Sequence, residues 1–225
     1  MPAKGVEMAS NIEILSTDAK STNTAGKASG NKNILSRYRW RTIDIVVASV
    51  IAVAGGAIFW GWDQLWSTTS AAFAGFPPAQ AVMYGVWLAP GVIGGLIIKK
   101  PMAAFYTELL ASIVEALLGS QWGLSVVLYG LAQGLAPEII FALFFYRVFR
   151  LPVSVMAGAA AGLAASCLDL YYYYSAWHGD WKVTYVVIVM ASSAIIAGIF
   201  GWFLVKGLEK TGALNTFSRH AKTNI

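Results

Sequence analysis

The chain has 225 residues, of which 57% are hydrophobic and 12% charged, with a formal net charge of +5. A soluble domain carries about 25% charged residues, so this composition excludes an ordinary soluble enzyme or binding domain and indicates an all-α, polytopic membrane protein. The positive charge does not point to nucleic acid, because most Lys and Arg lie in tails and short joints, where they set membrane topology.

Residues 1–36 are polar, without an apolar run or periodicity, and read as a disordered tail on the cytoplasmic side. They lack the apolar core of a secretory signal. Ala25-Gly26-Lys27-Ala28 is no phosphate-binding loop: Ser21 stands where the first glycine belongs, and Ala28 follows the lysine. Residues 37–210 form the membrane domain, and 211–225 a second cytoplasmic tail. A spanning helix needs about 20 mostly apolar residues. Six stretches qualify, at 42–62, 79–98, 102–118, 122–149, 151–174 and 183–205. Pro137 is expected to bend the fourth. Cys167, the single cysteine, is expected to fill core space in the fifth.

With six spans, Lys32, Arg37, Arg39, Arg41, Lys99, Lys100, Arg147, Arg150, Lys206, Lys210, Arg219 and Lys222 fall on one side, and Lys182 alone on the other. Basic residues stay in the cytoplasm, so both ends of the chain are expected inside the plasma membrane of a prokaryotic cell. The outer loops are then 63–78, 119–121 and 175–182. The first holds Trp66, Phe73, Phe76, Pro77 and Pro78. It reads either as a lid over the bundle or as an interfacial aromatic anchor.

Ala48, Ala52 and Gly56 make a small-residue stripe on the first helix, which lets another helix approach closely. That helix can belong to the bundle's own core or to a partner subunit. Gly91/Gly95 and Gly158/Gly162/Ser166 form similar stripes, expected to serve internal packing. Glu108, Glu115, Glu138 and Asp169 lie inside the spans, where an ionisable group costs roughly 2.5–3.5 kcal/mol or more. Each is a functional candidate or a group that locks helices together. At 1.5 Å per residue, Glu115 lies about 21 Å and Asp169 about 26 Å from the inner edge, both toward the outer side. Aromatic residues surround them in sequence: Trp122, Tyr129 and Tyr171 to Tyr174. Carboxylates beside ring faces suit a cationic or π-rich solute, through charge and cation–π attraction. Gln121 and Gln133 can add amide hydrogen bonds. The expected ligand site is therefore Glu115, Trp122, Asp169, Gln121, Tyr129, Gln133, Glu108 and Tyr173, although rings near span ends also serve as membrane belts. His178 and His220 lie outside the spans, and no metal-spaced His/Cys motif is present, so neither catalysis nor a cofactor or bound metal is expected.

Four segments carry a family resemblance: Arg39-Trp40-Arg41-Thr42-Ile43-Asp44-Ile45-Val46-Val47-Ala48, Ile58-Phe59-Trp60, Leu117-Leu118-Gly119-Ser120-Gln121-Trp122-Gly123 and Tyr129-Gly130-Leu131-Ala132-Gln133-Gly134. Together they resemble the YkoE family, which is similar to the substrate-binding S components of energy-coupling factor (ECF) transporters. The resemblance covers roughly residues 37–208. It implies a six-helix fold that captures thiamin or its hydroxymethylpyrimidine precursor from outside. A separate transmembrane scaffold and two cytoplasmic ATPases then drive import, with the S component toppling in the membrane. It also implies that an Ala-xxx-Ala stripe on the first helix, matched by Ala48 and Ala52, meets the scaffold. Two other readings remain open. One is a stand-alone, proton-coupled secondary transporter using the buried carboxylates. The other is a membrane sensor or assembly protein docking through the outer aromatic loop.

Overall fold

The computed structural model describes residues 38–212 and 214, with the helical bundle built from Trp40 onward. Both predicted tails lie almost wholly outside the described residues. Helix α1, Thr42–Thr69, starts where the Arg41 N–H donates to Asp44 Oδ2 at 2.7 Å, closing the first turn on a carboxylate. It continues past Trp62, because nothing from Asp63 to Thr69 is glycine or proline, and a 3₁₀ turn, Ser70–Phe73, follows. The expected outer loop 63–78 is therefore mostly helical.

The second rod begins as an unusually long 3₁₀ helix, Pro77–Leu88, and becomes α2, Ala89–Ile98, at the Leu88–Ala89 junction. Runs of 3₁₀ longer than three or four residues are uncommon, since their hydrogen bonds are poorly aligned. Here the three-residue turn stacks Pro78, Ala81, Tyr84, Trp87 and Pro90 on one buried edge. A neighbouring helix supports it: Ser192 Oγ donates to Val82 O at 2.7 Å and accepts from the Gly85 N–H at 3.1 Å.

Helix α3, Ala103–Leu118, packs against α1, α2 and the next helix. Glu138 closes its N-terminal end, accepting from the backbone N–H groups of Met102, Ala104 and Phe105 and from Tyr146 Oη at 2.7 Å. Helix α4, Ser125–Leu143, is shorter than the expected 122–149. Gly123 and the consecutive Phe145 and Tyr146 take left-handed backbone angles, which no continuous helix allows. Helix α5, Leu151–Tyr172, opens with Pro152 in its first turn, where the missing N–H has no helical partner to lose. The last rod is α6, Gly179–Ser193, a π-helical turn, Ala194–Phe200, and α7, Gly201–Lys210. Ser154 Oγ donates to Gly198 O at 2.8 Å within that widened turn.

Among the described residues, five stretches are long and apolar enough to cross a membrane: Thr42–Phe73, Pro77–Ile98, Ser125–Leu143, Leu151–Tyr172 and Gly179–Lys210. The sixth rod, α3, has 16 residues and two buried glutamates, Glu108 and Glu115. At one end of the bundle Lys100 pairs with Asp44, and Lys99 and Lys206 flank Glu209 at 3.0 and 2.6 Å. Trp40 Nε1 donates to Pro101 O at 2.8 Å there. The basic residues of the 99–100 joint and of α7 thus gather at a common end with Asp44 of α1.

Two expectations meet a different arrangement. Cys167 is exposed on the outside of α5 and fills no core space; the inward face of that helix is taken by Ala161, Ala165 and Ser166. Ala48, Ala52 and Gly56 are turned into the bundle. A Cβ on Gly56 would stand 2.5 Å from Ala111 O and 2.6 Å from the Val114 side chain, so the close approach permitted by the stripe is made with the chain's own α3. The outward face of α1 carries Val46, Val50, Val53 and Ile58 instead.

Candidate functional site

The joint 119–124 decides where the polar chemistry gathers. Gly119, at φ +93°, ends α3 in a left-handed turn, which throws Ser120 back toward the end of α1. Ser120 Oγ then lies 2.8 Å from Asp63 Oδ2 and 2.9 Å from Glu115 Oε1, and Asp63 Oδ1 accepts from Trp87 Nε1 at 3.0 Å. Gln121 Nε2 donates to the Asp63 carbonyl at 3.1 Å, and its Oε1 accepts from Ser67 Oγ. Loop, α1, α3 and the 3₁₀ helix are stitched together at one carboxylate pair.

Beside this pair lies a cavity of about 350 Å³, lined by residues from all six rods. That volume falls in the range of small-molecule sites. One wall is a run of edge-to-face rings: Trp66 to Trp87 at 5.3 Å, Tyr84 to Trp87 at 5.5 Å and Trp87 to Trp122 at 5.8 Å between centroids. Such contacts favour one ring arrangement over others, so the wall is a preformed aromatic surface. Across the cavity stands Asp169. Tyr129 donates to its Oδ1 at 2.8 Å and Tyr185 to its Oδ2 at 2.7 Å. Tyr174, stacked on Trp177 at 4.0 Å, completes that side. Burial first, then the nearby Asp169, push the Tyr174 hydroxyl up to about 12, so it stays neutral at physiological pH.

Of the residues expected from sequence, Glu115, Trp122, Tyr129, Gln133, Asp169 and Tyr173 line this cavity together. Gln121 braces α1 from behind the wall. Glu108 lies deeper, its Oε2 accepting from the Gly91 N–H at 2.7 Å and its Oε1 buried without a partner. Sequence reasoning missed Phe59, Tyr84, Trp87, Tyr174 and Tyr185 as lining residues, and Asp63 behind them. The three-residue spacing of Ala81, Tyr84 and Trp87 was the available signal for the 3₁₀ edge. Asp63 stood one position beyond the expected end of the first span and so counted as loop.

Three comparisons place this geometry among known proteins. Residues 43–164 match the family model of the permease component of ABC-type cobalt transport systems. A Bacillus subtilis (strain 168) protein, YkoE, described as an HMP/thiamine permease protein, is 32% identical over 177 residues, covering 78% of this chain and 88% of that one. The crystal structure of an S-component of an ECF transporter superposes with a TM-score of 0.76 at 30% identity, covering 82% of this chain and 94% of the other. The helical bundle is therefore that of a membrane-embedded ECF transporter S component, a transport subunit. Within that class, the chain belongs to the YkoE family.

Proposed function

We propose that this S component captures thiamin or its hydroxymethylpyrimidine precursor from outside the cell. A transmembrane scaffold and two cytoplasmic ATPases would then drive import. The observation that carries the reading is the cavity. Its walls are Trp66, Trp87, Trp122, Tyr84 and Tyr174, it has an acidic group at either end in Glu115 and Asp169, and among the described residues no Lys, Arg or His lines it. Flat rings between aromatic faces gain stacking, and a cationic ring gains a further 0.5–2 kcal/mol or so over Trp or Tyr. An organic cation with a second, amino-bearing ring uses both ends. The 32% identity to an HMP/thiamine permease protein points to the same ligand class. Cobalt, named in the family description, fits less well: among the described residues no three His, Cys, Asp or Glu side chains come together as a metal ion's ligands would.

The ligand reading is tested by calorimetric titration of the detergent-purified protein with thiamin and with hydroxymethylpyrimidine. Saturable, one-to-one binding of at least one is expected. Absence of binding by both overturns the ligand assignment. Co-purification tests the division of labour: ATPase and scaffold subunits should accompany the tagged protein from its native membrane.

A further inference from the structure

Hydrogen counting at Ser120 reveals a feature of the cavity that no single residue shows. A serine hydroxyl carries one hydrogen. Ser120 Oγ nevertheless stands within hydrogen-bond distance of two carboxyl oxygens, at 2.8 Å from Asp63 and 2.9 Å from Glu115. The two contacts close together only if one carboxyl brings a hydrogen of its own, because two ionised carboxylates offer only acceptors. Asp63 is wholly buried, and a water in the cavity that reaches Glu115 still leaves the Ser120 hydroxyl with one hydrogen for two carboxyl oxygens.

We infer that Asp63 and Glu115 hold a single proton between them across Ser120, which makes the tryptophan end of the cavity a receptor of one negative charge for a singly charged, ring-shaped cation, with Asp63 as a positioning residue hidden behind Glu115. The inference rests on the ligand reading above and deepens it. Asp169 does not compete for the same role, since each of its oxygens is already taken by a tyrosine hydroxyl. The groups that face the pair are Trp87 from the 3₁₀ helix, Ser120 and Gln121 from the joint, and Glu108 two turns back along α3. None of them is a cation that would hold both carboxyls ionised.

A shared charge behaves differently from a lone one. Asp63→Asn leaves Glu115 ionised, and Glu115→Gln leaves Asp63 ionised a few ångströms further back. Either single variant should therefore weaken thiamin by less than about fivefold, whereas the double variant should weaken it by about 30-fold or more, beyond the product of the singles. Hydroxymethylpyrimidine, which is neutral, should keep its affinity within about threefold in all three. That result also shows the cavity folded. Infrared spectroscopy of the ligand-free protein reads the proton directly: a protonated-carboxyl band should be lost in both Asp63→Asn and Glu115→Gln. A band unchanged in both variants overturns the shared proton. A full loss of thiamin affinity in Glu115→Gln, with no further loss in the double variant, overturns the role of Asp63. Wild-type protein that binds neither ligand overturns the selectivity and the ligand reading together, while the infrared result still decides whether the proton is shared.

Discussion

Glu138 and Trp122 show how similar-looking residues separate once their partners are known. Glu138 is spent on the backbone: it satisfies N–H groups that open α3 and binds Tyr146 at 2.7 Å. Glu138→Gln removes a charged acceptor from those donors and should lower stability by about 1.5–3 kcal/mol. Thermal unfolding of the purified variant checks this, and ligand affinity should stay as in the wild type. Trp122 stands in the cavity wall, held edge-on by Trp87 at 5.8 Å. Trp122→Ala should cost on the order of 1–2 kcal/mol of binding through the lost ring face. An unchanged dissociation constant for both thiamin and the pyrimidine would remove it from the site. Asp63, Glu115 and Asp169 are all acidic, yet Glu115 and Asp169 line the cavity while Asp63 sits behind its wall.

Among the elements, several joints bring a helix backbone hard against a glycine. A Cβ on Gly85 would lie 2.6 Å from Ser192 O and 2.7 Å from Ile196, at the crossing of the 3₁₀ helix with the last rod. The Ser192 carbonyl is backbone and the Ile196 Cβ is fixed to it, so neither gives way, and Gly85→Ala should destabilise by about 1–3 kcal/mol through overpacking. Gly61 on α1 has open space around it, and Gly61→Ala should be neutral or stabilising, because alanine is the better helix former. Comparing the two unfolding temperatures isolates the steric cost from helix propensity. The stripe on α1 obeys the same logic. Ala52 is fully buried, so Ala52→Trp should break the bundle rather than merely block a partner. A monodisperse, thermally stable Ala52→Trp protein that fails to assemble would show the stripe reaching a partner after all.

For the molecule as a whole, the gathering of Lys99, Lys100, Lys206 and their acidic partners at one end gives the bundle an electrical polarity. Basic ends remain cytoplasmic, so that end should face inward and the cavity, at the finish of α1, α3 and α5, should face outward. In a background without the exposed Cys167, a membrane-impermeant thiol reagent added outside should label Ser70→Cys and Asp180→Cys but not Lys210→Cys. Labelling of Lys210→Cys from outside reverses the orientation, and labelling of only one of the other two breaks the even number of crossings between them. Helix α3 is about 24 Å long, less than the roughly 30 Å hydrocarbon core. Its burial against α1, α2 and α4 lets protein rather than lipid cover the difference.

By itself, the sequence determined the membrane class, the approximate places of six helical rods and the two carboxylates of the cavity, Glu115 and Asp169. Those follow from composition, apolar run length and the high cost of charge in hydrocarbon, all of which act locally along the chain. Tertiary structure decided the rest. The inward turn of Ala48, Ala52 and Gly56, the exposure of Cys167 and the three-residue register of the Pro77–Leu88 segment each depend on which neighbour lies across the helix. The pairing of Asp63 with Glu115 depends on a turn at Gly119 that brings Ser120 across 57 positions of sequence to α1. Apolar periodicity is weak in a bundle whose outer faces are greasy as well, so a membrane helix does not declare its inner face. Only packing does, because only there do hydrogen bonds and close contacts have to be satisfied by a particular partner.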